Sequence, residues 1–71
     1  MLTMRQTFAA NLAKAMGRMP ASQLTRMLGV HPSAVCQWLK GQALPSLERT
    51  ARLAQILQVS VDALVHEQPQ H

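Results

Sequence analysis

No acidic side chain occurs between Met1 and Leu47, and Glu48, Asp62 and Glu67 are the whole acidic complement of this 71-residue chain. Arg5, Lys14, Arg18, Arg26 and Lys40 fill that same acid-free stretch, so one end of the molecule is expected to carry much of the net charge of +4 as a positive field. Aromatic residues are nearly as scarce, at 3% of the chain, which leaves Leu, Ala, Met and Val to build a core. The lone cysteine, Cys36, excludes an internal disulfide and offers no zinc spacing, pointing to a reducing, cytoplasmic setting. His31, His66 and His71 also lack metal-ligand spacing, so neither a metal nor a cofactor is expected. Arg5, Lys14 and Arg18 interrupt every apolar run near the N-terminus, which argues against a secretory signal and a membrane span. Alternating strand patterns, repeats and low-complexity tracts are missing as well.

What remains is helical periodicity in a chain long enough for one core, burying only about 60% of its unfolded surface. Phe8, Leu12, Ala15 and Met16 form one stripe on a helix over about 4–17, closed by Gly17 and Pro20. A second helix over about 21–28 places Ala21, Leu24, Met27 and Leu28 on one face and Arg26 opposite. Gly29 ends it, glycine being the residue that enters the left-handed region without steric cost. Pro32 suits the first position of a third helix, about 32–40, with His31 just before it. Ser46 caps a fourth, about 46–57, whose buried side carries Leu47, Thr50, Leu53, Ala54 and Leu57. Glu48 favours the positive end of that helix. Ser60 and Asp62 repeat the pattern for a fifth, about 61–66, with Val61, Leu64 and Val65. The expectation is an all-α domain over 1–66 with a flexible tail over 67–71.

The third helix is the informative one. With Val35 at the centre of its buried side and 100° per residue, Trp38 and Leu39 fall inside, Ala34 and Cys36 lie on the shoulders, and Ser33, Gln37 and Lys40 face outward. Trp38 therefore reads as core rather than as a platform for stacking bases, and Cys36 as a shoulder residue with no activating partner. A short helix turned steeply from its predecessor, with a small polar and basic outer face, fits the major groove of double-stranded DNA. Gln37 can pair bidentately with adenine through N6 and N7, Ser33 can exchange one hydrogen bond, and Pro32 or Ala34 can touch a thymine methyl. Lys40, at the helix end, suits a phosphate.

These residues, in this order, resemble the Cro/CI-type (XRE-like) helix-turn-helix regulators of phages and bacteria. The likeness runs from about Arg5 to Val65. It rests on Gln23-Leu24, Leu28-Gly29-Val30, Val35, Trp38 and Gly41, then Pro45-Ser46-Leu47-Glu48, Leu53-Ala54 and Val59-Ser60-Val61-Asp62. It implies a five-helix, lambda-repressor-like domain that binds operator DNA as a two-fold dimer on a near-palindrome. By position it makes Pro32, Ser33 and Gln37 base-reading residues, flanked by Ala34 and Cys36. Backbone phosphates would meet Ala21 and Ser22 and the loop from Lys40 through Gln42 and Ala43 to Leu44, with Arg26 a further cation. The chain departs from the family pattern at Thr25, where a small alanine is usual, and at Pro20-Ala21, where a polar residue often opens the helix. It departs again at Leu39, where glutamate commonly pairs with a base on the first helix; here Leu39 faces Lys14 and no such pair can form. With Gln37 the one strongly base-reading side chain, more weight falls on phosphate contacts and DNA shape.

The function expected from the sequence is sequence-specific repression of transcription by a small phage or prophage protein, blocking polymerase by occupancy. Leu57, Leu64 and Val65 form the expected homodimer seam. The alternative is an antitoxin or adaptor using the same apolar surface to bind another protein. No acid–base pair, nucleophile–base pair or phosphate loop appears, so no enzyme and no small-molecule ligand are expected.

Overall fold

A computed structural model describes residues 2–67 and contains five helices. They are α1 (Met4–Met16), α2 (Ala21–Leu28), α3 (Pro32–Leu39), α4 (Leu47–Leu57) and α5 (Val61–Val65), with no strand among the described residues. The expected boundaries differ by a residue at most, within the ordinary fraying of helix ends. Of the expected tail, only Glu67 lies within the described residues.

Four of the five helices begin on a side-chain cap. Thr3 and Gln6 close a reciprocal capping box at α1, and Ser46 and Ser60 accept from Arg49 and Ala63 at α4 and α5. His31 caps α3 by accepting the Ser33 amide on its ring. The α2–α3 turn depends on Gly29, which ends α2 in the left-handed region at φ 72° and returns its N–H to the Thr25 carbonyl at 2.9 Å. Val30 follows with a second bond to the same carbonyl and packs against the core. Only the three residues Gly29-Val30-His31 separate the two helices.

Each helix contributes to a single core made of Phe8, Leu12, Leu24, Val35, Trp38, Leu53, Ala54 and Leu64. Full burial of one such side chain is worth about 1.5–3 kcal/mol, so a core this small tolerates few losses. α1 packs on α3 and α5, α2 packs on α3 and α4, and α4 closes against α5. α3 is therefore wedged between the first two helices, with only its outer face left over.

Two polar groups complete this packing: Thr50, on the buried side where its spacing places it, and Asn11, which no local pattern announces. Buried Asn11 on α1 donates from Nδ2 to the carbonyls of Leu64 at 2.9 Å and His66 at 2.8 Å, holding the end of α5. Buried Thr50 donates to the Ser46 carbonyl one turn back. Thr25 is also buried, and no buried side-chain nitrogen or oxygen among the described residues lacks a partner.

Three apolar expectations are corrected. Met27 was placed on the inner face of α2 but is exposed. The buried side is centred between Leu24 and Thr25, which leaves Met27 more than a quarter-turn away. Leu47 is expected on the buried side of α4 but is 83% exposed, because it is the first residue of the helix and burial begins one turn later, at Thr50. Leu64 was expected on an exposed seam with Leu57 and Val65. It is 0% exposed in the core, so it has no surface to offer a partner. Leu57 and Val65 are half-buried against the same core.

Candidate nucleic-acid interface

The outer face of α3 follows from what lies under it. Val35 and Trp38 fix the inner side, Trp38 being only 3% exposed. Because the buried side is centred between those two, Ala34 is drawn toward the core while Cys36 on the other shoulder is exposed. Pro32, Ser33, Gln37 and Lys40 are exposed, and Leu39 is half-buried against the core. All of the expected reading residues therefore lie on one eight-residue helix, with Ala34 the least accessible of them.

His31 adds a detail that the sequence did not disclose. Its Nδ1 accepts the Ser33 amide at 3.1 Å and lies 2.8 Å from the Ser33 hydroxyl. The Ser33 hydroxyl is thus engaged with the His31 ring while the residue stays exposed on the outer face. Gln37 differs: its side chain makes no hydrogen bond within the described residues, so the amide keeps both the donor and the acceptor that a bidentate contact with adenine requires.

The expected phosphate positions flank this helix. α2 is the one described helix whose first turn has no side-chain cap, since Pro20 occupies the capping position. The N–H groups of Ala21 and Ser22 point out of a positive helix end, an arrangement that receives anions. At the other end of α3, Gly41 at φ 72° turns the chain back and Gln42 bonds the Gln37 carbonyl at 2.9 Å. That turn holds Lys40 and Gln42 in solvent while Ala43 packs against the core. Arg26 is exposed in the last turn of α2, the opposite end from Ala21, where a cation also complements the helix dipole.

None of the seven Lys and Arg side chains forms an ion pair with a described residue; the recorded pair joins His66 and Asp62 at 3.5 Å. The positive field is thus not consumed internally. Arg49 and Arg52, to which sequence reasoning gave no role, are exposed beside a groove with Leu28, Ser46 and Glu48. They add two cations where α2 ends against α4. Among the described residues no group of three His, Cys, Asp or Glu side chains is placed to hold a metal ion. No described helix is long and apolar enough to cross a membrane.

A short uncapped helix, a glycine turn and a second helix with an unengaged outer face make up a recognisable supersecondary unit. Residues 18–64 match the family model described as helix-turn-helix, about two-thirds of the chain. The chain belongs to the helix-turn-helix family. Within it, α2 and α3 occupy the places of the first and second helices of the motif. No curated protein matches this helix-turn-helix chain in sequence. Its fold is similar to the solution structure of the SOS-response transcriptional repressor LexA from Eubacterium rectale, with a TM-score of 0.89 at 20% identity. The match covers 96% of this chain and 74% of that one.

Proposed function

We propose that this protein is a sequence-specific DNA-binding repressor of transcription, of the small Cro-like phage or prophage kind. α3 enters the major groove, and two copies read a near-palindromic operator, excluding polymerase by occupancy. The observation that carries the reading is the outer face of α3: Gln37 and Ser33 exposed and correctly equipped, over a floor of Val35 and Trp38. The repressor named in the structural comparison is consistent with it. In this reading Gln37 and Ser33 contact bases, Pro32, Ala34 and Cys36 line the groove, and Ala21, Ser22, Arg26, Lys40, Gln42 and Ala43 approach phosphates. The protein acts in the cytoplasm without cofactor, ligand or catalysis.

Selection of binding sites from random duplexes at two salt concentrations tests the proposal. The expected product is a symmetric site whose affinity falls steeply with salt and exceeds that of random sequence by about 10³-fold or more. Recovery of no enriched sequence would overturn the reading. The adaptor or antitoxin alternative draws on exposed apolar surface, which is found around Met4, Leu44, Leu47 and Val61 with Val65 at its border, while Leu64 is buried.

A further inference from the structure

Three of the side-chain helix caps are hydroxyls, those of Thr3, Ser46 and Ser60. A hydroxyl accepts an amide of the first turn at any ordinary pH. The fourth cap, on the reading helix α3, is the imidazole of His31. Histidine is the side chain that exchanges its charge between about pH 5 and 8. We propose that His31 is a positioning residue that ties base discrimination by α3 to proton concentration: neutral, it caps the helix and holds Ser33; protonated, it releases the cap. The inference rests on the DNA-reading function proposed above.

The geometry makes this cap conditional. Nδ1 of His31 accepts the Ser33 amide at 3.1 Å and lies 2.8 Å from the Ser33 hydroxyl. Accepting the amide requires a free lone pair on that nitrogen. An imidazolium carries a proton on both ring nitrogens and has no lone pair to offer. The protonated ring can donate to the hydroxyl, but at the amide two donors then face each other. Its charge also stands at the positive end of α3. Both effects drive the ring from its place. Ser33, exposed on the reading face, is then no longer held at its amide and its hydroxyl together.

Nothing in the surroundings holds the cation on the cap. α3 packs on α1 and α2. The ionisable side chains of those three helices are Arg5, Lys14, Arg26 and Cys36, and Arg18 and Lys40 stand in the adjoining loops. None is a carboxylate, and His31 takes part in no ion pair among the described residues. The phosphates of a bound duplex are the anions within its reach, since His31 is exposed at the leading end of α3. Acidification therefore separates two quantities. Affinity for DNA of any sequence holds or rises, because a cation is added. Discrimination falls, because the front of the reading helix is loosened.

The test measures affinity for a selected site and for random duplex, at one salt concentration and at about pH 8 and about pH 5.5, for the parent, His31→Asn and His31→Ala. Asparagine caps a helix as well as serine does and takes up no proton in this range. Between the two conditions the parent's ratio of specific to random affinity should fall by about fivefold, the factor that a lost helix cap is typically worth. Its affinity for random duplex should not fall. His31→Asn should keep the higher ratio at both pH values, and His31→Ala should show the lower ratio at both. His66 and His71 are the same in all three proteins, so their charging cancels from the comparison. A parent ratio that ignores pH, an equal fall in His31→Asn, or a high ratio in His31→Ala overturns the proposal. Absence of any site preference in the parent at the higher pH instead overturns the DNA-reading function itself.

Discussion

At the residue level, the contrast between Gln37 and Ser33 makes the reading face testable. Gln37 has an unengaged amide, whereas the hydroxyl of Ser33 is committed to His31. Replacing Gln37 by alanine should lower discrimination at one base position per half-site by about 1–3 kcal/mol, with little change on random DNA. Equal losses on specific and random duplexes, measured side by side, would remove Gln37 from its assigned role. Most of this face was legible in the sequence because helical geometry alone separates Val35 and Trp38 from Ser33 and Gln37. The bond from His31 was not, since histidine is an uncommon cap and nothing in the spacing announces it.

The helices themselves were legible from apolar spacing and from Gly29, Pro32, Ser46 and Ser60, whose conformational preferences act locally. The Thr3-x-x-Gln6 capping box is a local signal of the same kind. Misplaced residues came from helix ends and face centres: periodicity tells which face is apolar, not where along the helix burial begins. Leu47 is the clearest case. α4 carries a second local irregularity, since Gln58 ends it in the left-handed region at φ 58°. That conformation costs a side-chain-bearing residue about 1–2 kcal/mol, against about 0.4–1 kcal/mol of extra unfolded-state freedom for glycine. The first figure is larger, so Gln58→Gly should stabilise the fold by up to about 1 kcal/mol. Thermal unfolding at matched conditions would show it, and a lowered midpoint would contradict the sign.

Over the whole molecule, charge placement and core closure are the governing features. The unpaired cations predict that affinity for any duplex falls with salt, and that Lys40→Ala weakens specific and random DNA alike. Its log–log salt slope should be shallower by about one unit, and a slope equal to the parent's would take Lys40 off the phosphate backbone. The acid-free stretch made this field legible from sequence, although the contribution of Arg49 and Arg52 was not, because they follow Glu48 in the chain. Core closure was hidden for a different reason. Asn11 and Leu64 are far apart in sequence, and no local pattern links an asparagine on the first helix to carbonyls on the last. Asn11→Ala should cost about 1–3 kcal/mol, seen as a fall of about 4–8 °C in Tm for each kcal/mol. An unchanged Tm would mean that water replaces the amide at no loss.

That amide has a consequence for how competence is acquired. α1 and the end of α5 are buttoned to each other, and α3 rests on α1. A shortened product ending ahead of Leu64 would possess every nucleotide-facing group yet lack the brace beneath them. Recognition should consequently switch on in a single step with completion of the last helix rather than grow by degrees as the chain lengthens.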